Sequence, residues 1–421
     1  MLKAYRLLSL LSFPFLFLWL MLRAQKGKED STRLQERWGQ GKLPRPEGAL
    51  VWLHAASVGE SHSVLPLVER LLLLYPKIHI LITSGTVTSA HLLLGKLPER
   101  CIHQYVPVDH PFAVRNFLHH WKPNLALWVE SELWPNLLTE TRARGCQMVL
   151  INARMSERSY KRWQLMPGFI GRLLSYFSMV LPQSKRDSER LSALGAKSMK
   201  MLGNLKYDVP PLSANQQLVM AQKTTMGMRP LWVAASTHPG EEVVIGYVHQ
   251  SLRQTFTDLL TIIVPRHAQR GNEIARDLRQ QGLVVAQRSA NDEVTPFTDV
   301  YLADTMGELG LFYRLADIIF IGGSMIPHGG QNPLEPARLG CAIITGPHMH
   351  NFQDVHNEML TAHACRLVID TQSLAQAVSE LLTNADMRHR LIMASEKYVE
   401  SKKGVLDAVV NALYPFLEPM R

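Results

Sequence analysis

Cysteine is scarce. Cys101, Cys146, Cys341 and Cys365 are the four in a chain of 421 residues. None falls in a C-x-x-C spacing, so neither a zinc site nor a thioredoxin-like dithiol is indicated. Thiols scattered this way fit a reducing compartment rather than a disulfide framework. Phosphate-loop signatures are missing too. There is no G-x-x-x-x-G-K-[ST] and no G-x-G-x-x-G, which removes the P-loop and dinucleotide readings. No G-x-S-x-G elbow offers a hydrolase nucleophile. No Asp-x-Asp signals a metal-held diphosphate, and His267, His328, His348 and His350 lack metal-ligand spacing, so no metal site is expected. Charged residues are few, 19% against 46% hydrophobic, which argues against wholesale disorder.

What is present starts with length and charge. The chain is long enough for two domains of ordinary size. Its formal net charge of +9 suggests an anionic partner: nucleic acid, a phosphorylated substrate, or an anionic membrane face. Leu7 to Leu22 is apolar apart from Ser9, Ser12 and Pro14. As a helix it spans about 24 Å, short of the ~30 Å hydrocarbon core. Lys3 and Arg6 precede it, and Arg23, Lys26 and Lys28 follow. No small-x-small cleavage site stands before those charges, so an uncleaved anchor over residues 1–28 is expected, either a short span or a segment lying in the interface. Arg33 to Trp38 reads as a short polar helix.

From residue 45 the chain alternates. Strand-like runs at Leu50–Leu53, Ile78–Thr83, Ile102–Pro107, Leu125–Val129, Met148–Ile151 and Met179–Pro182 are separated by helix-like ones. Val209-Pro-Pro-Leu-Ser-Ala214 is a proline-stiffened linker. Alternation then restarts at Leu231–Ala235, Leu259–Val264, Leu283–Ala286, Val300–Ala303, Ile318–Gly322, Ala342–Thr345 and Arg366–Ile369. Such βαβα order implies an α/β chain with two doubly wound parallel sheets, each covered by helices on both faces. Loops after the strands then gather at one edge of each sheet, where open α/β folds bind ligands.

Those loops carry the chemistry. Val51-Trp-Leu-His-Ala-Ala-Ser-Val-Gly-Glu60 runs strand, small-residue loop, helix start. Glu60 there either serves the helix dipole or faces a ligand. Glu130-Ser-Glu-Leu-Trp-Pro-Asn136 puts Glu130 and Glu132 beyond a buried strand, and one cap accounts for one of them only. Arg154 and Arg158, after the next strand, either grip an anion or pair with glutamates. Lys206 stands beside a small turn and can neutralise a phosphate or carboxylate. In the second half, Pro265-Arg266 follows a strand directly, and Met306-Gly307-Glu308 occupies a strand-to-helix turn. Gly322 to Gly330 lets backbone approach a ligand closely. It leads into Gln331-Asn-Pro-Leu-Glu335, where a helix start can hold a phosphate and Glu335 can accept from ribose hydroxyls.

Four of these segments, Trp52–Glu60, Glu130–Asn136, Asn152–Ser159 and Gln331–Ala337, together resemble the lipid A Kdo transferases, the 3-deoxy-D-manno-octulosonic acid transferases. The resemblance extends over nearly the whole chain and all four motifs stand in the family's order. It implies a GT-B fold, two Rossmann-like domains facing across a cleft. It divides the chain into an anchor (1–28), an acceptor-binding domain (29–210), a CMP-sugar-binding domain (211–400) and a last helix (401–421) crossing back to the first domain. It implies a CMP-Kdo donor, a lipid A precursor as acceptor, no cofactor, no metal and no nucleic acid. A seat on the cytoplasmic side of the inner membrane is expected, because the positive charge and the apolar anchor suit an anionic bilayer surface. By motif, Glu60 resembles the general base, and Glu130 and Lys206 the transition-state stabilisers. Pro265, Arg266, Met306, Gly307, Glu308, Asn332, Pro333, Leu334 and Glu335 resemble the CMP contacts. Two other classes remain open on the residues alone. One is a sugar-nucleotide epimerase or hydrolase, which needs no lipid-facing segment; the other is a membrane-associated binding protein, which leaves the two glutamates unexplained.

Overall fold

A strand covered on both faces has no side for water, so every position along it is apolar. Leu50-Val-Trp-Leu53 is such a run and is fully buried. It lies within β1 (Ala49–His54), one of six strands in the first sheet. The others are β2 (Ile78–Ser84), β3 (Cys101–Tyr105), β4 (Leu125–Val129), β5 (Gln147–Ala153) and β6 (Met179–Pro182). All pairings are parallel, in the order β3-β2-β1-β4-β5-β6, which is the Rossmann order. Leu50 and Trp52 face one core layer with Phe117, Trp121 and Trp128. Val51 and Leu53 face the other, with Val64, Leu67 and Leu71. Trp52 and Trp128 meet edge-to-face at 4.5 Å, and the Trp52 indole N–H donates to the Thr83 hydroxyl at 2.9 Å.

The structure is a computed structural model describing residues 1–95 and 97–421. It divides into two units, Met1–Val209 with Lys403–Arg421, and Pro210–Lys402. In the first, the helix Val405–Leu417 lays Val405, Val409, Val410, Leu413 and Leu417 into the layer that holds Val51 and Leu53. Asp208 caps that helix, accepting from the Gly404 and Leu406 amides at 2.9 and 2.5 Å.

The second unit holds a seven-stranded sheet: β7 (Leu231–Thr237), β8 (Leu260–Pro265), β9 (Val285–Gln287), β10 (Val300–Leu302), β11 (Ile318–Ile321), β12 (Ala342–Thr345) and β13 (Arg366–Leu367). Their order is β13-β12-β11-β7-β8-β10-β9, again all parallel. Trp232, Ile263, Phe320 and Ile344 pack on one face of it.

Two expectations change. The N-terminal apolar run is not one segment. It breaks at Ser12 into helices Leu2–Leu11 and Phe13–Gln25, bent by 61°. Pro14 is the reason, because it has no N–H and its ring displaces the carbonyl one turn back. The stretch after Ala153 is not all loop either. Ser156 caps a helix, Glu157–Gln164, through the Ser159 amide, so Arg158 is an exposed helical residue.

Trp52 fills the centre of its layer and donates its one polar hydrogen there. Trp52→Ala is expected to cost about 3–5 kcal/mol, read as a fall in the denaturant midpoint of the first unit.

Candidate active site

Strand order reverses beside β1 in the first sheet: β2 and β3 lie to one side, β4 to β6 to the other. The loops leaving β1 and β4 therefore part company, and an open α/β sheet forms its binding crevice where they do. Glu60 follows β1, and Glu130 and Glu132 follow β4. Topology thus brings three of the carboxylates singled out by sequence to one place.

Glu60 is the third residue of the helix Val58–Leu74, which Ser57 caps. Its carboxylate accepts from the Ser57 hydroxyl at 2.7 Å and from the Ala56 amide at 2.8 Å. That is the reciprocal hydrogen bonding of a capping box, displaced by one residue. Capping does not account for its electrostatics. Only 8% of Glu60 is exposed. Burial, joined by the charge of Glu130 and then opposed by those hydrogen bonds, raises its pKa from 4.5 to about 7; Glu132 adds to the rise. A carboxylate so placed is half ionised at neutral pH, which suits a general base.

Glu130 stands in the left-handed region, φ 58°, an uncommon conformation for a residue with a side chain. The Lys206 ammonium meets it at 2.9 Å, with both side chains largely covered. Lys206 sits on the turn Leu205–Asp208. Three groups brace that turn. Asn152 accepts from the Leu205 amide at 3.0 Å, Asn204 accepts from the Lys206 amide at 3.0 Å, and Asp208 holds the C-terminal helix. Glu132 accepts from the Trp134 indole at 2.6 Å, and burial raises its pKa. His54, at the end of β1, is fully buried with its Nε2 4.0 Å from Glu132; burial holds it neutral, its pKa down at about 4.

The second sheet reverses between β7 and β11, and the sequence-assigned residues of that unit are grouped around the same edge. Pro265 ends β8, and Arg266 is exposed beside it. Arg266 is near enough to lower the pKa of both Glu335 and His238. Asn332 donates to Glu335 at 3.1 Å and accepts from the Leu334 amide at 3.1 Å. Burial nevertheless leaves the Glu335 pKa raised. Pro333 and Leu334 are buried. The helix they open, Leu334–Ala337, has four residues, too short to build the dipole that the sequence suggested for holding phosphate. Met306 is exposed and Gly307 takes φ 84°. The Glu308 carboxylate is gripped by Arg288 through two bonds of 2.6 and 2.5 Å. A cavity of about 690 Å³ adjoins that turn, lined by Arg288, Tyr301, Thr305 and Glu308 among others.

Sequence reasoning passed over Ser236–Glu241. Ser236 has φ 58°. The His238 ring lies 3.7 Å from that of His328, and its Nε2 is 3.0 Å from the Gln331 amide. Glu241 accepts from the amides of His238, Gly323, Ser324 and Met325, so one buried carboxylate ties the β7 loop to the glycine loop after β11. Gly322 is required there, since a Cβ would stand 2.4 Å from the Ser236 carbonyl oxygen. The available signal was Pro239-Gly-Glu241, which repeats the Val58-Gly-Glu60 pattern of strand, glycine and acidic helix start.

A family model described as 3-deoxy-D-manno-octulosonic-acid transferase matches residues 32–209. The chain is 35% identical over 418 residues to the 3-deoxy-D-manno-octulosonic acid transferase of Rickettsia bellii, covering 99% of this chain and 100% of that one. It is 34% identical to the Haemophilus influenzae protein of the same name, covering 98% of each. Among solved structures, Neisseria meningitidis UDP-GlcNAc 2-epimerase bound to UDP-GlcNAc superposes with a TM-score of 0.59 at 12% identity, covering 87% of this chain and 100% of that one. That likeness shows a shared fold.

Folding takes up a proton at Glu60 between pH 4.5 and about 7, so this residue lowers stability as pH rises through that window. Glu60→Gln removes the effect. Its melting temperature should exceed the wild type's at pH 8, with the gap closing as pH falls toward 4.5, measured by calorimetry across that range.

Proposed function

The chain belongs to the 3-deoxy-D-manno-octulosonic acid transferase family, and from that premise we propose that it transfers Kdo from CMP-Kdo to a lipid A precursor, lipid IVA, with inversion and without a metal. As a glycosyltransferase of that family it acts in lipopolysaccharide biosynthesis. The observation that carries the finer reading is Glu60: a buried carboxylate with a pKa of about 7, at a topological switch point beside Glu130.

A sugar hydroxyl is a poor nucleophile, so a base must take its proton as the new bond forms. Glu60 is that base. As the donor bond lengthens, the attacked carbon gains oxocarbenium character, which a fixed negative charge offsets, as in glycosidases. Glu130 supplies the charge, and the Lys206 ammonium, 2.9 Å away, holds its carboxylate in place. In the second unit, Pro265, Arg266, the Met306–Glu308 turn and Asn332–Glu335 hold CMP. Arg266 takes up the charge that grows on the departing phosphate. Glu335 accepts from the ribose. Lys206 is already committed to Glu130, so it acts on the carboxylate rather than on the phosphate. The sequence has no Asp-x-Asp, which supports metal-free departure. Attack by the acceptor hydroxyl on the face opposite the departing CMP gives inversion.

The N-terminal pair of helices supports a membrane seat. Among the described residues no single helix is long and apolar enough to cross a membrane, although the bent pair passes that test together. Leu8, Leu11, Phe15, Leu18 and Trp19 are all exposed. Fully burying a Leu or Phe side chain contributes about 1.5–3 kcal/mol, and part of that gain is open to each of these in hydrocarbon. Lys3, Lys26 and Lys28 suit anionic headgroups. That combination supports attachment to the cytoplasmic side of the inner membrane.

Purified protein given CMP-Kdo and tetraacylated lipid A precursor should yield a product heavier by Kdo in a mass spectrum. Glu60→Ala should lower transfer by roughly 10²–10⁴-fold while CMP still raises its melting temperature; transfer at the wild-type rate would remove Glu60 from the base's role. Leu18→Asp/Trp19→Asp should abolish co-sedimentation with vesicles of phosphatidylethanolamine and phosphatidylglycerol.

A further inference from the structure

The helix that follows the loop of Glu130 and Glu132 is not capped by its own sequence. Its N-cap, Trp134, makes no side-chain cap bond, and Pro135 at its first position has no N–H to give. The next two amides go elsewhere. Asn136 N–H donates to Asp109 Oδ2 at 3.1 Å, and Leu137 N–H donates to Asp109 Oδ1 at 2.8 Å. Asp109 therefore caps a helix that begins 26 residues further along the chain. Such a carboxylate satisfies amides that would otherwise lack a partner and favours the helix dipole.

Asp109 is itself held by the N-terminal helix. Tyr5 donates to its Oδ2 at 2.9 Å. The Asn136 side-chain amide donates both to the Asp109 carbonyl at 2.7 Å and to the Ser9 hydroxyl at 3.0 Å. Arg6 pairs with Glu140 of the same capped helix at 3.0 Å. One face of the helix Leu2–Leu11 thus grips the element that ends the carboxylate loop, while Leu7, Leu8 and Leu11 on that helix stay exposed. The loop needs such support, because Glu130 sits at φ 58°, where a side chain raises the backbone energy unless the surroundings fix it.

We propose that Tyr5, Ser9 and Asp109 are positioning residues for transfer, acting through Asn136 and Leu137 to hold the Glu130–Trp134 loop, so that the segment seated on the membrane also sets the geometry of the catalytic carboxylates. The proposal rests on the reading of Glu130 as a transition-state group.

The test uses the full chain and two variants, Tyr5→Phe/Ser9→Ala and Asp109→Asn. The double variant removes two hydroxyls and leaves every exposed apolar side chain in place, so it covers the case in which Asp109→Asn fails to fold. Displaced catalytic groups lower turnover more than substrate binding. We expect kcat to fall roughly fivefold in the double variant and roughly a hundredfold in Asp109→Asn, with KM for CMP-Kdo unchanged. Amide hydrogen exchange over residues 130–137 should quicken, and binding to phosphatidylethanolamine–phosphatidylglycerol vesicles should stay at the wild-type level for the double variant. Unchanged kcat, a loss carried by KM alone, or unchanged exchange at Asn136 and Leu137 would each overturn the proposal. If the wild type transfers no Kdo, the functional reading fails on its own, and the exchange measurement still decides whether the N-terminal helix holds the loop.

Discussion

Both sheets depend on one constraint. A parallel sheet wound outward in two directions from a central strand must part its loops beside that strand. In the first unit the strand is β1, with β2 and β4 as neighbours. In the second it is β7, with β8 and β11 as neighbours. The polar ends of buried strands and the starts of helices meet there, which is where such sheets form a recess for a ligand. Glu60, Glu130, Glu132 and Lys206 are gathered at the first such edge. Arg266, His238, Glu335 and the glycine loop are gathered at the second.

The two edges use the same local device for opposite ends. Glu60 and Glu241 each follow a glycine at the start of a helix, and each is buried. Glu241 accepts four backbone amides and so fastens two loops together. Glu60 accepts one amide and one hydroxyl and faces the charge of Glu130. The first carboxylate is committed to structure. The second retains a proton affinity near neutrality, which is what a base that must act and recover requires. The Glu130–Lys206 pair belongs between these cases. It is covered, so breaking it would strand a charge, and its lysine is braced by the turn that also caps the C-terminal helix.

Much of the fold was legible because strands buried on both faces leave an unmistakable mark. Leu125–Val129, Met179–Pro182 and Ala342–Thr345 have the bounds that their apolar runs suggest. The other strands differ by a residue or two at their ends, where hydrogen bonding to neighbours, not hydropathy, sets the limit. Helices were read less well. Glu157–Gln164 has no fully buried residue, and only Tyr160 and Trp163 rest against the core, too short an apolar face to announce it. The break at Ser12 was written in Pro14, but the polar contacts that Tyr5, Arg6 and Ser9 make with distant residues were not. The expected phosphate-holding helix near Asn332 is cut to one turn, with Pro336 inside it.

By itself the sequence determined which residues carry chemistry and which strands are buried, because side-chain type and hydrophobic spacing are local properties. The four motifs also carried the family. Only the tertiary structure decided which of those residues act on one another. It set Lys206 against Glu130, turned Glu241 into a clamp, and assigned Asp109 to a helix far along the chain. Burial and the nearness of Glu130 raised the pKa of Glu60. Electrostatic and capping interactions depend on distance and solvent exclusion, and neither exists until strands distant in sequence lie side by side.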